Sequence, residues 1–424
     1  MSNFKSAVAK VNITPFLGCP MAGYSSRDRG SETIDDELYC KALVLYNGET
    51  KLAIVTNDLI GIDVRFVRQT RELIEDATGI PKSNVLICAS HTHFGPEIRR
   101  EEDATIKCPD DKFDLAYVAV LQKKMATAVQ LANQNLQDAK IGVGKGYTDK
   151  LSFNRHTIRP DGTAVTTYRL PPKEENLTFG SIDPEVGVVR VDSADGKPIA
   201  TLFNFACHPV CSVDRMYAIS ADYPGYAMGL LERELGGICM FTLGCAGNIV
   251  PIEREGISKR KIGISLAAEV IKTWQWLSFA DSIELKSMQK IIELPLKEPK
   301  DDKETHVLYK AQLQVEIQVL KVGDFGFVGL PGEIFVEIGI AIKEQSGIEN
   351  LFPVSLANGS SGYVPIAIAY DQGGYESSYT PLAKGCGEIL RDTALELVNE
   401  SFADSGKESQ TQIAQMTQIK KKSV

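Results

Sequence analysis

Three of the five histidines in this chain stand where strand-like runs end, a placement that lets imidazoles hold a metal ion. His91 and His93 follow the apolar run 85–89, and Phe94-Gly95-Pro96 then turns the chain away. If the extended backbone continues, both side chains leave the same face of that strand. His208 ends the run 199–206 in the same way, with Pro209 breaking the strand behind it. An acid does likewise. Gly326-Phe327-Val328-Gly329-Leu330 runs into Pro331-Gly332-Glu333, which places Glu333 at the N-terminus of a helix over 333–345. Ligands of open α/β sheets bind beyond the carboxyl ends of strands. Three imidazoles and a carboxylate there match a zinc site with nitrogen and oxygen ligands and an open position for water.

Other chemistry competes for the same residues. A single histidine at a strand end is more often a hydrogen-bonded structural residue, and His-x-His alone occurs by chance. Gly244-Cys245-Ala246-Gly247-Asn248 is a glycine-flanked cysteine after a strand, with His208 available as a base. Cysteine in such a small-residue turn is commonly just a compact buried hydrophobe. The glycines form neither a P-loop nor a dinucleotide fingerprint.

The elements that must position these residues alternate between strand and helix. The runs 52–56 and 85–89 are short, apolar and β-branched, and the stretch 65–78 between them is helical with a stop at Gly79. The alternation returns with a strand over 199–206, a helix opening at Asp222-Tyr223-Pro224 with Asp222 as N-cap, a strand over 239–243 and a helix over 258–276. Later, Leu313, Val315, Ile317 and Val319 alternate with polar residues, the period of a half-exposed antiparallel strand, and Gly323-Asp324 makes a hairpin turn into 325–330. The sum is an α/β protein, a layered single catalytic domain over 1–402 with mixed β-sheets flanked by helices. The polar, basic end, 403–424, reads as a frayed tail.

Bulk properties narrow the function. The chain has 424 residues, 43% hydrophobic and 24% charged, ordinary values for a soluble globular protein. A net charge of −9 gives no basic footprint for nucleic acid. No apolar run is long enough to span a membrane, and nothing resembles an interfacial helix or lipid anchor. The first ten residues lack the apolar core of a secretory signal, and the nine cysteines lack paired spacing except Cys207 and Cys211. Reduced thiols and a cytoplasmic location are therefore expected.

Several short segments, in order along nearly the whole chain, make it resemble the catalytic domain of the neutral (non-lysosomal) ceramidase family. They are Asn12-Ile13-Thr14-Pro15 with Met21-Ala22-Gly23-Tyr24, Ala89-Ser90-His91-Thr92-His93-Phe94-Gly95-Pro96, Asn154-Arg155, and Ala206-Cys207-His208-Pro209. Ala246-Gly247-Asn248-Ile249-Val250-Pro251, Leu330-Pro331-Gly332-Glu333, Gly362-Tyr363-Val364-Pro365 and Gly374-Tyr375-Glu376 complete the set. The resemblance implies one Zn²⁺ held by His91, His208, Glu333 and Tyr363, with His93, Arg155 and Tyr375 around the reacting amide. Without it, Tyr363 reads only as a loop aromatic. It further implies a metal-activated water attacking an N-acyl bond, with His93 moving the proton to the leaving amine.

Two departures from the family pattern bear on the substrate and mechanism. The family carries a serine where Val250 stands, so a serine nucleophile is excluded at this position. Exported family members also continue into a C-terminal β-sandwich, for which this chain shows no counterpart. The expected substrate is thus a small N-acylated molecule, either ceramide-like or a soluble conjugate. The competing expectation is a ceramidase-fold binding protein that has lost catalysis.

Overall fold

The computed structural model describes residues 3–99, 115–298 and 312–403. The basic stretch expected to be a tail, apart from its first residue, lies outside the described residues. The larger sheet runs in the order Ile238–Leu243, Pro198–Phe205, Glu185–Ser193, Gln137–Tyr147, Lys5–Asn12, Tyr39–Tyr46, Lys51–Asn57 and Val85–Ala89, with Phe279–Ala280 also paired to Gln137–Tyr147. Its interior pairings are antiparallel, but the outermost pair at each edge is parallel. His91 follows a strand of one parallel pair and His208 a strand of the other.

Period-two alternation decides what each face of this sheet touches. Cys40, Ala42 and Val44 join one core, with Phe66 and Ile74 of helix Val64–Thr78 and Leu121 of helix Leu115–Gln134. The same core takes Leu231 of helix Asp222–Leu235 and Leu266 of helix Ser258–Trp274. Leu43 and Leu45 point the other way, into a core shared with Phe325, Phe327 and Phe352 of a second sheet. That four-stranded sheet is ordered Leu285–Pro295, Gln312–Val322, Phe325–Gly329 and Leu351–Val354. Its far face packs Val319 and Val328 against Ile338 of helix Val336–Ser346 and Leu390 of helix Cys386–Phe402. The layers are therefore helices, sheet, sheet, helices. Strands buried on both faces need apolar residues at nearly every position, as 52–55 and 85–89 show. Each fully buried leucine or phenylalanine in these layers contributes about 1.5–3 kcal/mol.

Most expected elements form, and the departures have local causes. Helix Val64–Thr78 is capped by Asp63, whose carboxylate accepts from the Phe66 amide at 2.6 Å, and stops at left-handed Gly79. Strand Gln312–Val322 is half-exposed only at its start, because the larger sheet packs one face of its remainder and the outer helices the other. Asp222 is the first residue of its helix instead of the cap. Glu333 does not open a helix: Glu333–Ile334 is a short strand paired in parallel with Tyr363–Val364, and the helix begins at Val336. Pairing with that strand holds Glu333 extended.

One short segment joins the two sheets and both parallel edges. Ser355 donates its amide to the Leu243 carbonyl at 2.9 Å, closing onto one edge. Asn358 donates to Ile87 at 2.8 Å, and the Leu356 carbonyl accepts from Ala89 at 3.3 Å, on the other edge. The Leu356 amide also donates to Gly332 at 3.1 Å, which fixes the approach to Glu333. Edge strands otherwise present unpaired backbone groups, so this insertion satisfies them while bringing both histidine-bearing edges to Glu333.

Candidate metal centre

His91, His93 and His208 come together with their ligand atoms within 4.8 Å of one another. The backbone reaches this arrangement by a break in the strand: His91 has φ 68°, left-handed, so the extended run stops at Ala89. The expected shared strand face is thus replaced by a turn. Both imidazoles nevertheless arrive at the same point, with ring centroids 4.8 Å apart. Gly23 makes room for His93, since a Cβ there would lie 2.8 Å from the imidazole, and its φ of +103° itself favours glycine.

Backbone carbonyls set the tautomers. Nδ1 of His91 faces Ile60 O at 2.6 Å, that of His93 faces Gly23 O at 3.0 Å, and that of His208 faces Ile249 O at 3.0 Å. A carbonyl only accepts, so each Nδ1 carries the proton and each Nε2 presents a lone pair. Those lone pairs converge. His93 Nε2 lies 3.2 Å from His91 Nε2, and Glu333 Oε2 lies 3.3 Å from His91 Nε2 and 3.2 Å from His208 Nε2. Acceptors face acceptors at contact distance, an arrangement satisfied only by a proton or a cation among them. Burial pushes the His208 pKa down to about 4, helped by Arg155, and burial with the neighbouring imidazoles holds His93 well below the usual value. His208 and His93 are thus held neutral, and the donor set fits a divalent cation. Nitrogen donors with one carboxylate suit zinc, and carbonyls on the outer nitrogens are the usual way such histidines are oriented.

The remaining expected residues form a second group beside this one. Arg155 is buried and donates from Nε to Glu376 Oε1 at 2.6 Å, and from Nη2 to Gly247 O at 2.9 Å and to the Tyr363 hydroxyl at 3.2 Å. Burial opposes its charge, but Tyr363 and Glu376 outweigh that and raise its pKa, so it remains a fixed cation. Tyr363 pairs in register with Glu333 through the backbone, and burial plus the Glu333 charge push its hydroxyl well above the ordinary value. It is a phenol unless a cation is near. Tyr375 is 40% exposed, with its ring 5.6 Å from that of Tyr363 and 6.0 Å from the Arg155 guanidinium. Gly247 allows Glu333 this close approach, because a Cβ would sit 2.4 Å from the Glu333 carbonyl oxygen.

The competing nucleophiles fare badly. Cys245 is buried against Gly339, and burial pushes its thiol up to about 12, so no thiolate forms near neutrality. Val250 is fully buried in the pair Ile249–Pro251 with Ser152–Asn154 and supplies no hydroxyl. Eight cysteines are free and buried among the described residues, and no described helix is long and apolar enough to cross a membrane.

Residues 4–242 match the family described as neutral/alkaline non-lysosomal ceramidase, N-terminal, and the chain belongs to that family. It is 25% identical over 227 residues to the neutral ceramidase of Mycobacterium tuberculosis, covering 52% of this chain and 34% of that protein. It is 24% identical over 245 residues to neutral ceramidase A of Dictyostelium discoideum, covering 56% and 33%. The match thus spans about a third of the length of these curated relatives. The crystal structure of neutral ceramidase from Pseudomonas aeruginosa shares the fold, with a TM-score of 0.76 at 18% identity, over 94% of this chain and 74% of that one.

Sequence reasoning missed the residues that hold the site in place. Glu376 sits in the quoted Gly-Tyr-Glu segment, but only the fold shows its carboxylate on Arg155. The carbonyls of Ile60, Gly23 and Ile249 leave no mark in side-chain chemistry. Arg27, which donates to the His93 carbonyl at 2.7 Å, is separated from it by 66 positions.

Proposed function

We propose that this protein is a zinc-dependent amidohydrolase that cleaves an N-acyl bond, releasing an amine and a carboxylate. The observation that carries the reading is the convergence of three carbonyl-oriented imidazoles and the Glu333 carboxylate, lone pair to lone pair, beside a buried arginine. The catalytic unit is 1–402. His91, His208, Glu333 and Tyr363 would hold the metal. Zinc held there would supply a water of pKa near 7 and a Lewis acid for the amide carbonyl.

The chain's own residues do the rest. His93 is neutral, tied through Nδ1 to Gly23 O, and its Nε2 lone pair faces the cluster, where it takes the water's proton and passes it to the leaving amine. Arg155, held by Glu376 and Gly247, aims a fixed positive charge at the oxyanion side, and Tyr375 flanks it. The carbonyl and carboxylate anchors pre-organise these groups, so little reorganisation is needed when charge develops. The names of the relatives support an amide of the ceramide type, and a small soluble N-acyl conjugate uses the same chemistry. A net charge of −9 supports a small-molecule partner and no nucleic acid, and a cytoplasmic location remains the reading taken from the sequence.

The test is release of free amine from short N-acyl substrates and from a short-chain ceramide, before and after chelation and zinc add-back. Activity abolished by chelator and restored by zinc is the expected result. Val250 favours a second reading, a catalytically inactive binding protein of the same fold. Metal-responsive turnover would remove it, and absent turnover with retained metal would favour it.

A further inference from the structure

Arg254 stands at the edge of the site with a half-buried guanidinium and no anion to meet it. Its Nε reaches only the Val210 carbonyl, at a long 3.5 Å. The acids around it are engaged elsewhere: Glu253 with Lys261, and Glu255 with Arg169. Asp222 accepts from the amides of Cys211 and Tyr223 and from the Ser212 hydroxyl. Among the described residues no carboxylate pairs with Arg254. The contrast is Arg155, whose guanidinium is satisfied by Glu376, Gly247 and Tyr363.

Its position relative to the proton-handling histidine is defined by the backbone. His93 donates its amide towards Pro209 O at 3.4 Å, and Arg254 uses the very next carbonyl, that of Val210. Tyr24 packs its ring on His93 at 5.2 Å between centroids, and its buried hydroxyl lies beside the Arg254 guanidinium, whose charge it can meet only as a neutral acceptor. The Arg254 charge acts on both Tyr24 and His93. Tyr168, 41% exposed, lies 5.7 Å from the Arg254 guanidinium and 5.9 Å from that of Arg155, so its ring links the two arginines.

A guanidinium and the phenol beside it thus border the site with only neutral acceptors and, among the described residues, no carboxylate. A hydroxyl on a substrate would satisfy them partly. A carboxylate, phosphate or sulfonate accepts from both and meets a guanidinium through two hydrogen bonds. The chain's overall charge of −9 repels anions at long range, so a local unpaired cation selects for one at this point.

We infer that Arg254, with the Tyr24 hydroxyl, receives an oxyanion carried on the amine half of the substrate, making N-acyl amino acids or N-acyl aminoalkyl phosphates the preferred class over neutral ceramide. The amine half follows from the neighbour: His93 is the group assigned to the leaving amine, and Arg254 borders it. This rests on the amidohydrolase reading above.

The experiment compares, on the full zinc-loaded chain, N-hexanoylglycine, its uncharged carboxamide and N-hexanoyl-phosphoethanolamine. The acid should exceed the carboxamide by about 10- to 100-fold in kcat/KM, the worth of one charge-assisted pairing. Arg254→Gln should lower the acid-to-carboxamide ratio of kcat/KM about tenfold or more, mainly through KM for the acid, and Arg254→Lys should recover part of that ratio. Whichever of acid and phosphate is better identifies the oxyanion. Equal rates for acid and carboxamide, or an Arg254→Gln effect equal on both, would overturn the assignment. Should no amide be cleaved, the hydrolase reading fails alone, and calorimetric binding of the same acid decides on Arg254. Binding that weakens about tenfold or more in Arg254→Gln upholds its role, and absent or unchanged binding overturns it.

Discussion

The two halves of this site are built in different ways. The half from the larger sheet, with His91, His93 and His208, follows strand ends, and each imidazole is oriented by a backbone carbonyl. The half from the smaller sheet and its loops, with Glu333 and Tyr363, rests on a two-residue strand pair and on the segment 355–358 wedged between the sheet edges. Arg155 ties the halves together, reaching Gly247 on one side and Tyr363 and Glu376 on the other. The first half fixes which atoms are offered, and the second decides whether they are offered to a single point. The family match, over residues 4–242, covers the first half only, so the site depends on chain beyond the matched region.

The largest effect should come from removing the second half's charge. Glu333→Ala leaves lone pairs facing an empty position and should lower kcat/KM by about 10³- to 10⁴-fold, with weaker zinc binding, read by amine release and by competition with a chelator. An effect below about tenfold would mean that the histidines suffice and that the halves are not interdependent.

Arg155→Met tests the link between them. It removes a fixed donor and leaves the buried Glu376 carboxylate unpaired, so kcat should fall about 10²- to 10³-fold with KM little changed, alongside a loss of stability. If KM alone rises, Arg155 positions substrate and does not stabilise the developing charge.

A pH titration of the metal-free protein sharpens the contribution of the first half. His208 has its pKa lowered by burial to about 4, below its unfolded value near 6.5. Its neutral form therefore contributes stability that is fully present above pH 6.5 and is lost as pH falls through about 4. Asp58 and Asp222, raised by burial to about 6, act with the opposite sign over part of that range. The useful quantity is the difference between wild type and His208→Gln in unfolding free energy, from denaturant titrations across pH 4 to 7. It should change on the order of 3 kcal/mol over that window, being largest at the neutral end. A flat difference would mean that His208 is not held neutral by the fold.

The smallest effect belongs to Val250→Ser. Restoring a hydroxyl in a fully buried strand pair should cost about 2 kcal/mol of stability and add no activity. A gain in turnover would show that the position takes part in chemistry after all.

How much of this was legible in the sequence follows the same division. Strand ends can be read from short apolar runs, so the sequence shows His91, His93 and His208 just beyond strands, where they lie in the structure, and the layered α/β fold follows from the alternation of elements. What failed was local backbone geometry. The left-handed turn at His91 replaces an extended strand, because Asn57 and Leu59 accept from the amides of Ser90 and His91 and draw the chain aside. The amphipathic pattern of 336–346 extends back over Glu333 and so predicts it helical, and nothing in that pattern shows a distant Tyr363 strand pairing with it. The Arg155–Glu376 contact, 221 positions apart, and the unpaired Arg254 are properties of tertiary placement alone. Family resemblance, and not periodicity, pointed to Tyr363.

The central claim is that His91 and His208 hold a catalytic metal together with Glu333. Elemental analysis of the purified protein and of a His91→Ala, His208→Ala double variant tests it most directly, with circular dichroism confirming that both are folded. The account predicts about one zinc per chain in the wild type and none in the double variant. Full zinc occupancy in the folded double variant would contradict it.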